Sequence, residues 1–298
     1  MQNARLKSLI HYHFIVFIWG FTAILGALIS LEALPLVWYR MAIASIIIYG
    51  YLRIKRTKLR VPKRAFRGFA LAGILIALHW LTFFGAIKTA NVSVTLAVMS
   101  TGAFFTAILE PIFYKRKLIW YELLFGLIVI GGLYLIFEVN TSFYLGIGLA
   151  LISALLSAVF TLVNGKFVHK HNPTTISFYE LLVGTAFIGV AYASAKAFDV
   201  TWLSDFDSIV PSGIDWMYIA ILASICTAYA FIVSVKVMKH LSPYTLMLTI
   251  NLEPVYGIAL AYFILGDSEK MNPQFYYGAA GILAVVLLNG ILKYKKPN

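Results

Sequence analysis

The chain has 298 residues, of which 61% are hydrophobic and 12% are charged, with 24 Lys and Arg against 12 Asp and Glu. This composition leaves too little polar surface for a water-soluble globular protein and favours a polytopic membrane protein. The excess of positive charge does not require a nucleic-acid partner, because anionic membrane lipid is a sufficient one. A single cysteine, Cys226, excludes an internal disulfide.

Ten apolar segments follow one another along the chain, each close to the length of about 20 residues that a helix needs to cross a bilayer. They lie at residues 12–31, 34–52, 68–88, 92–114, 120–137, 143–165, 174–196, 216–239, 243–265 and 274–292. Runs such as 14–19 and 123–132 lack the alternation of apolar and polar residues that a membrane β-barrel requires. The prediction is an all-α membrane protein with ten transmembrane helices, because backbone groups in lipid must be hydrogen-bonded within each span.

Basic residues fall mainly on one side of this threading. With the N-terminus inside, the outer segments carry only Lys88, Lys196 and Lys270, and Arg40 lies within a span. The inner segments carry the other twenty, which are Arg5, Lys7, Arg53, Lys55, Arg56, Lys58, Arg60, Lys63, Arg64, Arg67, Lys115, Arg116, Lys117, Lys166, Lys170, Lys236, Lys239, Lys293, Lys295 and Lys296. The positive-inside rule predicts that both termini are cytoplasmic, and we expect a bacterial inner membrane.

The second half of the chain weakly repeats the first. The offset is about 152 over much of the chain and about 140 near the start of each half. The aligned pieces are Ala90–Val94 with Ser242–Leu246, Lys115 with Asp267, and Tyr39-Arg40 with Tyr179-Glu180. Five spans in each half is an odd number, so the two repeats, 12–137 and 143–292, must have opposite orientations. Inverted repeats are typical of transporters that bind substrate near the membrane midplane, between the repeats.

Three short motifs stand out along the chain: Trp19-Gly20, Tyr39-Arg40 and the segment Leu252–Tyr256, which reads LEPVY. In their order and spacing they resemble EamA-type members of the drug/metabolite transporter superfamily. The resemblance covers residues 12–292 and implies ten helices in two five-helix repeats, with export or exchange of small metabolites. The chain departs from the family pattern at Gly102, where proline is frequent, and at Lys115, where glutamate is frequent.

Four charged residues lie within the predicted spans, where charge is costly and usually functional: Arg40, Glu110, Glu180 and Glu253. Glu253 is the deepest, and Pro254 after it predicts a kinked or opened helix. Glu253 is a candidate site for a proton, a cation or an amine, or else a buried carboxyl held neutral. Glu110 is either a gate or an interfacial carboxylate. Arg40 and Glu180 either hold the charged groups of a substrate or serve as structural ion pairs.

Polar and aromatic residues within the spans are candidates for the wall of a substrate cavity. His79, Trp80 and Phe83 share the third span, which lines the cavity in the family that the chain resembles, although a histidine among aromatics is also a common core residue. The other candidates are Trp19, Met99, Ser100, Asn164, Tyr229, Asn251 and Tyr256. The pairs His11/His13 and His169/His171 have metal-ligand spacing but no nearby cysteine or carboxylate, so we expect no metal and no cofactor.

These features favour a secondary transporter that works by alternating access. Amino acids, aromatic ones in particular, are the leading substrate class, with Arg40 and Glu253 meeting the carboxylate and the ammonium. The chain has no Walker A motif, so pumping must use a gradient of protons or of counter-substrate. An uncoupled facilitator or channel is the alternative. A lipid-modifying membrane enzyme is disfavoured by the lack of a nucleophile–base pair. The expected partners are substrate and lipid, and the chain is a monomer or a homodimer.

Overall fold

The computed structural model describes residues 2–115, 117, 124, 128, 131, 141–201, 206 and 208–295. Within these ranges the chain is helical and contains no strand. The α-helices are α1 (Gln2–Leu28), α2 (Ala33–Ile54), α3 (Lys63–Thr89), α4 (Val92–Met99), α5 (Gly102–Tyr114), α6 (Tyr144–Gly165), α7 (Pro173–Ala197), α8 (Gly213–Ala223), α9 (Ala230–Val237), α10 (Pro243–Ile250), α11 (Glu253–Leu265) and α12 (Pro273–Lys295). A π-helix, Ser224–Tyr229, joins α8 to α9, and short 3-10 turns lie at Thr141–Phe143 and Gly266–Glu269.

Among the described residues, eight helices or runs of joined helices are long and apolar enough to cross a membrane. They correspond to eight of the ten predicted spans. The predicted span 120–137 falls outside the described residues except at three isolated positions, and the predicted span 274–292 falls within α12. The boundaries differ from the prediction where polar residues extend a helix beyond its apolar stretch. Helix α1 begins ten residues earlier than predicted and α3 begins five residues earlier.

Two of the spans are broken at their centres. Helices α4 and α5 are separated by Ser100 and Thr101, and α10 and α11 by Asn251 and Leu252. The second break agrees with the opening predicted at Pro254, which has no N–H with which to continue the helical hydrogen-bond ladder. The first break has no proline and was not predicted. Each broken span begins with a capped N-terminus: Asn91 accepts from the Val94 N–H at 2.8 Å and Ser242 from the Thr245 N–H at 3.2 Å.

The helix boundaries of the two halves coincide at fixed offsets. Helices α4 and α5 match α10 and α11 in both position and length at an offset of 151, and both pairs end at a residue with positive φ, Lys115 and Gly266. The predicted offset of 152 is therefore corrected by one residue, and Lys115 pairs with Gly266 rather than Asp267. Helices α2 and α7 begin at the predicted offset of 140.

Equivalent helices of the two halves run in opposite directions. At one end of the bundle Lys88 of α3 donates to the Ile29 carbonyl after α1, and Ser30 bonds Asp215 at the start of α8. At that end also, the start of α6 at Gly146 meets Ala90, and Glu269 after α11 bonds the start of α4. Tyr49 near the end of α2 packs on Phe178 near the start of α7. In the part of the chain that the structure describes, α1, α2, α3 and the pair α4–α5 are thus antiparallel to α6, α7, the pair α8–α9 and the pair α10–α11.

In this arrangement the two ends of the bundle carry different charged residues. The end that holds the start of α1 and the α2–α3 connection carries most of the described Lys and Arg residues. The opposite end carries Glu32, Asp199, Asp215, Asp267 and Glu269. We call these the basic end and the acidic end.

Candidate functional site

A narrow cavity lies inside the bundle, bounded by α1, α2, α3, α4, α6, α9, α10 and α11. Its volume is about 70 Å³. Seven of the residues predicted from sequence line it: Trp19, Arg40, His79, Trp80, Phe83, Met99 and Glu253. These seven come from five separate spans, so the fold converges them on one space.

Arg40 is the only described cation among the lining residues, and 1% of its surface is exposed. Its Nε donates to Thr227 Oγ1 at 2.6 Å, and its guanidinium carbon lies 4.0 Å from the centre of the Trp80 ring. The Phe84 ring is further away, at 5.5 Å. Nη1 is buried and has no hydrogen-bond partner among the described residues. A buried guanidinium that is fixed on one edge and free on another is suited to binding a carboxylate.

The π-helix provides the groups that hold this arginine. Wider π-turns recur at functional sites because they free backbone groups and re-aim side chains. Here Thr227 Oγ1 donates five residues back, to the Leu222 carbonyl at 2.7 Å, and so presents a lone pair to Arg40. The Cys226 carbonyl accepts from Trp19 Nε1 at 3.1 Å. The π-helix therefore orients two cavity residues on two other helices.

The π-helix lies where the offset between the two halves changes. Helix α3 and helix α8 begin 150 residues apart, whereas the spans that follow them begin 151 residues apart. One extra residue in the second half, relative to the first, is what a π-turn accommodates within an otherwise α-helical span. With the later offset, Phe231 is the counterpart of Trp80, and the two rings pack 5.7 Å apart beside the cavity.

Glu253 introduces the opposite charge. It is the first residue of α11 and is partly buried, and it lines the same cavity as Arg40. The start of a helix carries partial positive charge from its free N–H groups, which favours a carboxylate there. No ion pair within 4 Å joins Glu253 to Arg40. The cavity thus presents a cation and a carboxylate that are not neutralised by direct contact with each other.

Aromatic rings form much of the remaining wall. Phe231 stacks on Phe160 at 5.6 Å, and Tyr12 meets Trp19 edge-on at 6.0 Å. His79 is held by Ser153: its Nδ1 lies 2.9 Å from the Ser153 carbonyl, while Ser153 Oγ donates to the His79 carbonyl at 2.9 Å. Because a carbonyl can only accept, these contacts assign the ring proton to Nδ1 and leave Nε2 as an acceptor.

The other predicted site residues lie away from this cavity. Ser100 and Pro254 line an apolar groove of about 470 Å³ between α4, α11 and α12. Tyr229 bonds His11 at 2.7 Å near the surface, and Tyr256 packs on Phe17. Asn251 is buried at the break before α11 without a hydrogen-bond partner among the described residues. Glu110 is buried in α5, and Asn164 and Glu180 are buried on α6 and α7.

Several lining residues were not predicted from the sequence. They are Tyr12, Thr22, Ile76, Ser157, Phe160, Thr161, Phe231, Ser234, Met238, Leu246 and Ile250. Two signals could have found some of them. Ser157, Phe160 and Thr161 recur at helical spacing on one face of α6, and Phe231 aligns with Trp80 once the offset is corrected to 151. Among the described residues no group of three or more His, Cys, Asp or Glu could hold a metal ion.

A bundle of antiparallel, paired apolar helices around a charged internal cavity is the architecture of a multi-pass membrane transporter. The EamA-like transporter family matches residues 9–138 and 144–291, so the chain belongs to that family and is a multi-pass integral membrane protein. It is 24% identical to an uncharacterized transporter of Archaeoglobus fulgidus, over 95% of this chain and 96% of that protein. A solved crystal structure shares the fold with a TM-score of 0.69 at 15% identity, covering 96% of this chain and 98% of the other.

Proposed function

We propose that the protein is a secondary transporter that exports or exchanges amino acids, aromatic ones foremost, by alternating access, and that it is not an enzyme. One observation carries this proposal: Arg40 and Glu253 face a single cavity whose other walls include six Phe, Tyr and Trp side chains. An α-amino acid carries the complementary pair of charges, a carboxylate and an ammonium, next to an apolar side chain. Few other small metabolites combine these three features.

In the proposed complex each part of the substrate meets a different wall. The carboxylate binds Arg40, whose Nη1 is buried without a partner. The ammonium binds Glu253 at the start of α11. The side chain packs against Trp80 and Phe231, for which aromatic substrates are the best match, because ring pairs gain about 0.5–1.5 kcal/mol beyond the burial of area.

The size of the cavity supports a transport cycle with more than one conformation. Its volume of about 70 Å³ is below the roughly 300 Å³ at which small-molecule pockets begin. Binding an amino acid therefore requires helices to separate. Antiparallel pairs of equivalent helices provide a way to do this, because two inverted repeats of five helices, 12–137 and 143–292, can rock about a fixed site.

The energy source and the orientation follow from the same proposal. With no nucleotide-binding motif, accumulation depends on a gradient, and protonation of Glu253 competes with the substrate ammonium. The basic end faces the cytoplasm, where anionic lipid of a bacterial inner membrane attracts it, and both termini lie on that side. An uncoupled facilitator would only equilibrate the substrate across the membrane. Measuring accumulation above the equilibrium level therefore distinguishes it from the proposed coupled transporter.

Binding of substrate analogues to the purified protein tests the chemical identity of the ligand. L-phenylalanine is compared with phenethylamine, which lacks the carboxylate, and with 3-phenylpropionate, which lacks the ammonium. We expect each analogue to bind about 10- to 100-fold more weakly, since one charge-assisted contact contributes about 1.5–3 kcal/mol. Leucine tests the aromatic preference. Equal affinity for all three phenyl compounds would exclude the proposed roles of Arg40 and Glu253.

A further inference from the structure

Glu180 and Asn164 form a second buried polar site, away from the cavity. Each is 0% exposed. Glu180 is on α7 and its side chain approaches that of Asn164 on α6. The two side chains interact, but among the described residues no hydrogen bond of standard geometry reaches either carboxylate oxygen of Glu180 or the amide oxygen and nitrogen of Asn164. Four orphaned polar atoms in one place are unusual, because buried polar groups are almost always paired.

The site occupies the position that Arg40 occupies in the other half. Arg40 and Glu180 each lie seven residues after the first residue of their helix, which is about 10 Å along the axis. Because α2 and α7 are antiparallel, Arg40 lies nearer the acidic end and Glu180 nearer the basic end. Arg40 lines the substrate cavity, whereas Glu180 does not.

Among the described residues no basic side chain forms an ion pair with the Glu180 carboxylate, and His171 before α7 packs edge-on against Phe69. On α2, Arg40 is bonded to Thr227, and Arg53 lies over the exposed Tyr49. On α3, His79 is bonded to Ser153, while Lys63, Arg64 and Arg67 are exposed. Lys236 of α9 is exposed, and Lys166 beside Asn164 lies over Phe113. On α7 itself, Tyr179 donates to the Leu59 carbonyl.

We propose that the Glu180–Asn164 pair is a proton-binding site that couples protonation to the separation of α3 from α7. This proposal rests on the transport function proposed above, and it adds a second protonation site to Glu253. In the protonated state the Glu180 O–H donates to Asn164 Oδ1, and Asn164 Nδ2 donates to the remaining carboxyl oxygen. A bare metal cation is a poorer occupant, since one carboxylate and one amide provide fewer oxygen ligands than such ions take.

The packing around Glu180 links its charge to the cavity wall. Helices α3 and α7 touch so closely at this point that a Cβ added at Gly73 would lie 2.5 Å from the Glu180 carbonyl oxygen. The protonated pair is compatible with this dry contact. An ionised carboxylate is not, because burying an unpaired charge is costly. Loss of the proton therefore favours separation of α3, which also carries His79, Trp80 and Phe83, from α7 and admits water from the basic end.

Infrared titration of the full-length protein in detergent tests this site without any substrate. A protonated carboxyl absorbs in a region free of other protein bands. We expect wild-type protein to show such a band that disappears as pH rises, and Glu180→Gln to lack that component at every pH. Glu253→Gln serves as the matched control and should keep it. A difference spectrum between wild type and Glu180→Gln without a carboxyl component would overturn the proposal.

Two further measurements, one on a variant of Asn164 and one without sodium, test the pairing and the identity of the bound ion. Asn164→Ala retains Glu180 but removes its partner, so the band should persist at higher frequency because the acid loses a hydrogen bond. An unchanged band frequency in Asn164→Ala would contradict the pairing. This variant also tests the pairing if Glu180→Gln fails to fold. Replacing sodium by choline should leave the titration unaltered, and a sodium-dependent midpoint would overturn proton binding in favour of a metal cation. None of these results depends on whether amino acids are the substrate.

Discussion

A positive charge alone cannot reproduce the contacts of Arg40. One edge of its guanidinium is fixed by Thr227, its face lies on Trp80, and a further nitrogen remains unpaired. A lysine ammonium is a point charge that cannot satisfy these three demands together. A lysine at position 40 therefore distinguishes a specific binding role of Arg40 from a purely electrostatic one.

Arg40→Lys should weaken L-phenylalanine binding by about 10- to 100-fold, the equivalent of one charge-assisted hydrogen bond of about 1.5–3 kcal/mol. Equilibrium binding of the labelled amino acid to purified protein measures this. Arg53→Lys is the matched control, because Arg53 lies on the same helix but at its exposed end over Tyr49. Equal loss in both variants, or no loss in either, would argue against a specific carboxylate contact at Arg40.

The π-helix is the element on which the geometry of the cavity depends. Its extra residue relative to the first half places Thr227 against Arg40 and the Cys226 carbonyl against Trp19. An α-helix in its place would rotate everything on one side of the junction by about 100°. The two contacts cannot both survive such a rotation.

Deleting Ile225, which is half exposed, should convert the π-helix into continuous α-helix and lower L-phenylalanine binding by at least about 10-fold through loss of the Arg40 anchor. Circular dichroism should report unchanged helix content. The substitution Ile225→Ala keeps the residue count and should bind normally. Retained affinity in the deletion variant would mean that the π-helix does not orient Arg40.

The α3–α7 contact allows a stability prediction at the same scale. A methyl group at position 73 would meet a backbone atom, the Glu180 carbonyl oxygen, which cannot rotate away. Gly73→Ala should therefore destabilise the protein by about 1–3 kcal/mol, as overpacking usually does. Gly50→Ala is the matched control, because nothing lies within 4 Å of the added atom. Helix propensity should make that change neutral or favourable by up to about 1 kcal/mol. Thermal unfolding in detergent compares the two, and a lower midpoint for Gly50→Ala than for Gly73→Ala would contradict the packing described.

At the scale of the whole molecule, the helical spans could be predicted from the sequence, whereas the contacts between particular side chains could not. Apolar runs predicted the described spans because lipid imposes one length on every helix. The break before Glu253 followed from Pro254, whereas the break at Ser100 and Thr101 has no proline to signal it. Arg40 and Glu253 were candidates because of their charge within a span, and His79 because of the family resemblance; all three line the cavity, and their binding role stays a prediction. The pairing of polar groups was not predicted, because Thr227 and Ser153 reach Arg40 and His79 only through tertiary packing.

The one-residue change of offset between the repeats, from 150 to 151, is a feature that the sequence alone did not reveal. A weak identity between the halves does not report an insertion within a span, since hydropathy changes little when one apolar residue is added. The starts of the helices do report it, through offsets of 150 before the π-helix and 151 after it. The counterpart of Trp80 could therefore be recognised as Phe231 only once these boundaries were known.

The central claim is gradient-driven transport of amino acids, and uptake into liposomes tests it most directly. Purified protein is reconstituted under an imposed pH gradient and supplied with a panel of labelled amino acids, with Glu253→Gln alongside and the exposed Asp267→Asn as control. We predict that wild type and Asp267→Asn accumulate an aromatic amino acid above its equilibrium level and that Glu253→Gln does not. Simple equilibration in all three proteins, unaffected by the gradient, would contradict coupled transport and indicate a facilitator.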